Sequence, residues 1–183
     1  MSYYLKLGFI LLLIAAVASG VLAFVNGFTK PIIEENRRQA EIEARQEVLP
    51  SAVDFQKADS DFVFYTGYDA EGEVVGYTFL AVETGYSGPI QTMVGVGPDL
   101  KIIKIKIVEQ SETPGLGANC IRSEFTEQFS DLDGEKLYLD KDSGDIVTLT
   151  GATITSRAIV DSLREAIRLL KNNVEQLNSE EVS

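Results

Sequence analysis

Apolar positions follow three rhythms along this chain. The first is an unbroken run: no charged residue occurs from Leu7 to Thr29. About 20 apolar residues are enough to cross the hydrocarbon core of a bilayer, so this stretch predicts a transmembrane helix. The competing reading is a cleaved signal peptide, with the small residues from Ala15 to Gly20 as its processing site. The apolar part of such a peptide is shorter, about 7–15 residues. Here the apolar character continues to Phe28, which favours a retained anchor. A charged segment follows. Thr29 or Lys30 at a cap, Pro31 in a first turn, and Glu34 and Glu35 near the positive end of the dipole predict a helix. It is expected to run to about Val48 and stop before Pro50. Its few apolar positions make it read as a solvated stalk.

Past residue 60 the period becomes two. Residues 62–65, 74–82, 91–96 and 102–108 read as strands, with turn signals at 69–72 and 97–99. Lys104 and Lys106 alternate with Ile103, Ile105 and Ile107, which predicts one wet face and one buried face. Residues 122–129 read as a short helix, and 137–139 and 146–149 as two further short strands. The helical period returns at the end, where Ile159, Val160, Leu163, Ala166, Ile167 and Leu170 share one face. Asn172 and Asn173 are the expected stop, with a frayed acidic tail from Glu175 to Ser183. Strands followed by a packed helix predict an α+β domain with a mostly antiparallel sheet.

Composition narrows the chemistry. A length of 183 residues suits one domain and a membrane segment. The net charge is −12, and every acidic residue lies at or beyond Glu34. Such a domain repels nucleic acid and anionic membrane surfaces, so phosphate-backbone binding is excluded. The chain has no histidine, which removes His-held haem, His-ligated zinc and imidazole-based triads. Its lone cysteine, Cys120, can neither close an internal disulfide nor hold an iron–sulfur cluster alone. Ala118 and Ile121 beside it predict a buried structural thiol. Redox chemistry here would need an organic cofactor. Charge on either side of the apolar run (Lys6 before it, Lys30, Arg37 and Arg38 after it) leaves the membrane orientation open.

The candidate chemistry lies where the last strand signal meets the last helix. Thr148, Thr150, Thr153, Thr155 and Ser156 crowd this junction, together with Gly151. Free amides at a helix N-terminus favour an anion, and glycine allows close approach, so the junction reads as a phosphate cradle. The alternative reading is a helix cap supplied by Thr155 or Ser156. A second loop runs from Glu112 through Thr113, Pro114, Gly115 and Leu116 to Gly117. Pro114 and Gly115 make a turn, and Gly117 relieves strain.

Thr150, Gly151, Ala152 and Thr153 together resemble the [Ser/Thr]-Gly-Ala-Thr flavinylation motif of bacterial FMN-binding domains. These domains occur in the G subunit of Rnf complexes and the C subunit of sodium-pumping NADH:quinone oxidoreductases. Residues 112–117 resemble the family's Glu-Thr-Pro-Gly-Leu-Gly loop, followed by Phe125, Gln128 and Phe129, and residues 85–90 resemble a third segment. The compact length is closer to the G subunit. The resemblance implies residues 1–29 as a short inner N-terminus and transmembrane helix, 30–50 as a stalk, 51–175 as an FMN-binding domain and 176–183 as an acidic tail. It implies FMN esterified through its phosphate to Thr153 by a dedicated flavin transferase, with Thr155 as the nearest alternative. Further cofactor contacts are expected from Thr150, Gly151, Ala152, Ser156, Glu112, Thr113, Gly115, Leu116 and Gly117. The family commonly places an aspartate three residues before the motif; Val147 stands there, with Asp145 two residues earlier.

The implied role is a non-catalytic electron carrier in an inner-membrane complex, with the flavin domain on the extracytoplasmic face. The complex would couple ferredoxin and NAD redox chemistry to sodium-ion or proton movement. The implied partners are other membrane subunits, one with its own covalent flavin. The contrasting reading is a membrane-tethered binding or assembly module without flavin.

Overall fold

Apolar side chains offer backbone amides nothing to bond, so the amides turn to one another, and the chain opens with a single helix, α1 (Ser2–Val48). The computed structural model describes residues 2–60 and 62–181, in two compact units, Met1–Ala40 and Glu41–Ser183. In the first unit the described side chains are exposed, and α1 is long and apolar enough to cross a membrane. No new helix starts at Thr29. Its hydroxyl donates to the Val25 carbonyl at 2.8 Å instead of capping, and Pro31 lies inside the helix, where it removes one amide donor and crowds the carbonyl one turn back without ending the helix.

In the second unit the end of α1 is not a solvated stalk. Ala44 and Val48, four residues apart on one face, are buried against Met93, Leu80 and Val108. Two apolar positions in a charged helix were too sparse a signal to reveal this from sequence. The helix ends before Pro50 as expected, and Leu49, fully buried, follows it.

Five strands form an antiparallel meander in chain order: β1 (Asp54–Lys57), β2 (Phe64–Tyr68), β3 (Val74–Thr84), β4 (Pro89–Val96) and β5 (Ile102–Glu109). The strand β1 escaped the sequence reading because it is a polar, largely exposed edge with no alternation. Both turn signals hold: Gly72 N donates to Asp69 O at 3.2 Å, and Leu100 N to Gly97 O at 2.9 Å. In β4, Ile90, Val94 and Val96 join the main core, while Met93 faces the end of α1. The two-residue period of β5 is interrupted. Val96 pairs with Ile102 and Gly95 with Lys104, so Ile103 is an extra residue, 40% exposed, between buried Ile102 and Ile105. Its wet face is also partly covered, since Lys104 and Lys106 both reach Glu47 on α1, at 2.8 and 2.5 Å.

The segment after the sheet contains the short helix α2 (Ser123–Thr126), which runs into a 3-10 turn at Glu127–Phe129. It buries Phe125 and Phe129 edge to face. Residues 137–139 and 146–149 are not strands. They share one parallel bridge, Leu139 with Ile146, because the tight turn at Asp140–Asp142 is far too short for a parallel crossover. The last helix, α3 (Thr153–Glu181), packs on the sheet, and its Ile159, Leu163, Ile167 and Leu170 share one buried core with Phe64 and Phe79. It passes the expected stop: Asn173 Nδ2 donates back to the Leu169 carbonyl at 2.8 Å and the helix continues to Glu181. Val182 and Ser183, the end of the expected acidic tail, lie outside the described residues. Cys120 is buried, as expected, and burial together with the charge of Glu112 pushes its thiol up to about 11.

A glycine lets the end of α1 lie directly on the sheet. A Cβ at Gly95 would lie 2.3 Å from the Val48 carbonyl oxygen. Gly95→Ala is therefore expected to destabilise the fold by about 1–3 kcal/mol, because backbone must shift to admit it. Urea unfolding of the detergent-solubilised chain, followed by circular dichroism, should show the lower midpoint.

Candidate functional site

Two segments far apart in sequence face each other across one cavity of about 480 Å³. One wall is the start of α3: Gly151, Ala152, Thr153, Ile154 and Thr155. The other is Glu112, Thr113, Leu116 and Gly117, with Tyr86 from the β3–β4 connection. Thr150, Gly115 and Ser156 are not part of the wall. Thr150 is exposed, and Gly115 serves its turn with φ +79°. Ser156 is fully buried, accepting from Leu149 N and donating to Ala152 O, both at 3.0 Å.

The two walls are joined by a buried acid. Glu112, 6% exposed, accepts from the Thr155 hydroxyl at 2.7 Å and from Ser87 N at 2.9 Å. The bonds of Thr155 and Ser156 settle the sequence ambiguity about the cap. Both hydroxyls are committed to other partners and neither covers the helix amides. The helix begins at Thr153, two residues before the expected cap, so its first amides have no carbonyl behind them within the helix. The glycines have a different task from strain relief alone. A Cβ at Gly117 would meet Glu112 Oε2 at 2.5 Å and Thr155 Oγ1 at 2.7 Å, and one at Gly85 would meet Glu112 Oε1 at 2.5 Å. Gly117 and Gly85 make room for the acid and its bonds. Gly151 takes φ +73° and lies against Leu116 Cδ2.

Beside the cavity, the turn at Asp140–Asp142 brings up a cation. Lys141 Nζ donates to Thr153 Oγ1 at 2.7 Å. Asp140 Oδ1 accepts from the Thr148 hydroxyl, from Lys141 N at 2.9 Å and from Thr148 N at 3.1 Å. The Thr148 hydroxyl, then these amides and the Lys141 charge, hold the Asp140 carboxyl below the usual carboxylate range. Sequence reasoning missed Lys141, Tyr86 and Ile154. For Lys141 no local signal exists, since it meets Thr153 only through the turn. Tyr86 was within reach, because it sits in the glycine-flanked segment 85–90 that carries part of the family resemblance.

The lining suits a flavin phosphate. Tyr86, Leu116 and Ile154 are large, apolar-bodied and exposed at 72%, 44% and 55%, and they gather at one cavity instead of scattering. The volume falls within the roughly 300–1,000 Å³ of small-molecule sites. Helix amides and the Lys141 ammonium supply the complement to a phosphate.

The family model of the FMN-binding domain matches residues 85–168, which span both walls, and that of the RnfG N-terminal region matches residues 4–48. The class is thus an FMN-binding domain carried behind an RnfG-type N-terminal region. The chain is 35% identical to the G subunit of the ion-translocating oxidoreductase complex of Methanosarcina acetivorans, over 86% of this chain and 89% of that one. It is 37% identical to the G subunit of the Na(+)-translocating ferredoxin:NAD(+) oxidoreductase complex of Acetobacterium woodii, over 91% of both chains. Identity is 33% to the proton-translocating counterpart of Clostridium ljungdahlii, over 85% and 86%. The chain belongs to the family of G subunits of ion-translocating oxidoreductase complexes. Its fold is also that of the C subunit of the Na(+)-translocating NADH-quinone reductase of Parabacteroides distasonis, at TM-score 0.55 and 16% identity, covering 73% of this chain and 91% of that one.

The lowered Asp140 carboxyl gives a pH test of the turn. A depressed acid stabilises the fold above its unfolded value, about 4, and that contribution is lost as pH falls through the folded value. Asp140→Ala should melt below the parent chain at pH 7, with the gap closing as the pH falls below about 4. Thermal melts across pH 2.5–7 would show it; a gap constant with pH would mean that the carboxylate is not involved.

Proposed function

We propose that this chain is the FMN-carrying electron-transfer subunit of a membrane complex that couples ferredoxin and NAD redox chemistry to sodium-ion or proton translocation. The observation that carries the reading is the convergence of Glu112, Thr113, Leu116 and Gly117 with residues 151–155 on one largely apolar cavity, with the Lys141 ammonium beside it on Thr153. The FMN-binding match over the same residues and the names of the relatives support it. When bound, FMN accepts and releases one or two electrons, which lets it join carriers of different stoichiometry.

The chain's own residues divide the remaining work. Leu116, Ile154 and Tyr86 offer apolar surface to a flat ring, and the start of α3 offers amides to its phosphate. Thr153 is the attachment point in this reading. Among the hydroxyl residues at the head of α3 it is half-buried on the cavity wall, whereas Thr155 is committed to Glu112 and Ser156 to the backbone. A phosphoester at Thr153 retains the cofactor outside the cytoplasm, where lost flavin is not replaced. Residues 1–29 are the anchor in this reading, and 51–175 the flavin domain on the extracytoplasmic face. Neighbouring membrane subunits, one with its own covalent flavin, exchange electrons with it, and a flavin transferase matures it.

The full chain, co-expressed with a flavin transferase of proven activity, is expected to be yellow after denaturation and to gain the mass of FMN less water. Peptide mapping should place that gain on Thr153, and Thr153→Ala should abolish it. A gain on Thr155 would move the site and keep the function. A colourless, unmodified chain that Val147→Asp does not rescue would favour the tethered binding or assembly module.

A further inference from the structure

Lys141 lies twelve residues before Thr153, yet its ammonium is within hydrogen-bond distance of the Thr153 hydroxyl oxygen, at 2.7 Å. An exposed lysine ordinarily gains little from such a contact, because ordering its long side chain offsets the bond. Here the backbone that carries it is clamped on both sides. Asp140, before it, accepts from the Thr148 amide and hydroxyl. Asp142, after it, pairs with Arg157 at 2.8 Å. Thr153 and Arg157 are four residues apart, neighbours on one face of α3. Two consecutive residues of the turn thus dock on two consecutive turns of the helix. The acids flanking Lys141 are engaged by Thr148 and Arg157, which leaves its ammonium directed at Thr153.

We propose that Lys141 is the positioning residue that makes Thr153, and not the hydroxyls beside it, the site of phosphoester formation. This rests on the reading above that Thr153 carries the flavin. Joining a hydroxyl to a free phosphate with loss of water is unfavourable in water, so the donor is a flavin phosphoanhydride. The Thr153 oxygen bonds to phosphorus, its proton leaves to a base of the transferase, and the anhydride P–O bond breaks to release a nucleoside phosphate. No oxidation state changes. Lys141 fixes the oxygen, draws the anionic phosphoryl group to it and afterwards balances the charge of the diester in a domain that is otherwise strongly acidic. Thr155 is excluded by its bond to Glu112, and Thr150 lies off the cavity wall.

The test follows the initial rate of flavin attachment to the full chain in detergent, with purified transferase and flavin adenine dinucleotide, by intact mass and peptide mapping. The parent, Lys141→Arg, Lys141→Met, Lys141→Gln and Lys141→Glu chains are compared, each checked by circular dichroism and melting temperature. Losing one hydrogen bond to a charged group should slow Lys141→Met and Lys141→Gln by roughly tenfold or more, and Lys141→Glu further, while Lys141→Arg stays within about threefold of the parent. Added salt should slow the parent and Lys141→Arg more than Lys141→Met. Equal rates for parent and Lys141→Met, or equal slowing in Lys141→Arg and Lys141→Met, would overturn the role of Lys141 and leave the proposed function standing. A parent chain left unlabelled while the transferase modifies its control substrate would overturn the Thr153 reading itself, and this inference with it.

Discussion

The bond from the Thr155 hydroxyl to Glu112 is the contact on which the assembly of the cavity depends. A buried acid must have its oxygens satisfied, because burying a carboxyl without hydrogen-bond partners carries a large desolvation cost. Glu112 meets that demand with donors from two other parts of the chain, Thr155 at the head of α3 and Ser87 in the β3–β4 connection. One side chain therefore fixes three segments relative to one another. The requirement propagates into sequence: Gly85 and Gly117 are glycines because a Cβ at either would strike the carboxylate. Tyr86, between Gly85 and Ser87, and Leu116, next to Gly117, are placed at the mouth as a consequence.

The second unit supports this arrangement from both faces of its sheet. The helix α3 buries Ile159, Leu163 and Leu170 in the same core as Phe64 and Phe79, which anchors the helix whose first turn lines the cavity. On the other face, Val48 and Ala44 seal the sheet beside Met93, with Gly95 permitting backbone contact. The cofactor corner thus rests on a layered core, while Tyr86, Leu116 and Ile154, which would meet a flavin ring, are exposed. That division suits an electron carrier, which needs a fixed cofactor with one accessible side.

Much of this was legible from local pattern. The apolar run before residue 30, the strands at 74–82, 91–96 and 102–108 and the face of α3 all carry long, regular periods, and each is present in the structure. What failed was short or set by distant partners. The strand β1 is a polar edge with no alternation. Residues 137–139 and 146–149 have strand composition, but the turn between them admits only a single bridge. Asn172 and Asn173 look like a helix stop, yet Asn173 bonds back onto the helix, and packing carries α3 onward. Ile103 alternates correctly on paper and is turned outward by a bulge that only the register with β4 creates.

The sequence by itself determined the class: an apolar anchor, an antiparallel α+β domain, no imidazole or paired-thiol chemistry, and two glycine- and threonine-rich segments that belong to one cofactor family. Periodicity and composition are local properties, and they suffice for that. Only the tertiary structure decided how the hydroxyls at the head of α3 are employed. Thr155 is drawn to Glu112, Ser156 to the backbone, and Thr153 to Lys141. A hydroxyl's role depends on which donor or acceptor lies within about 3 Å, and for Thr153 and Thr155 the partners lie twelve and forty-three residues away along the chain.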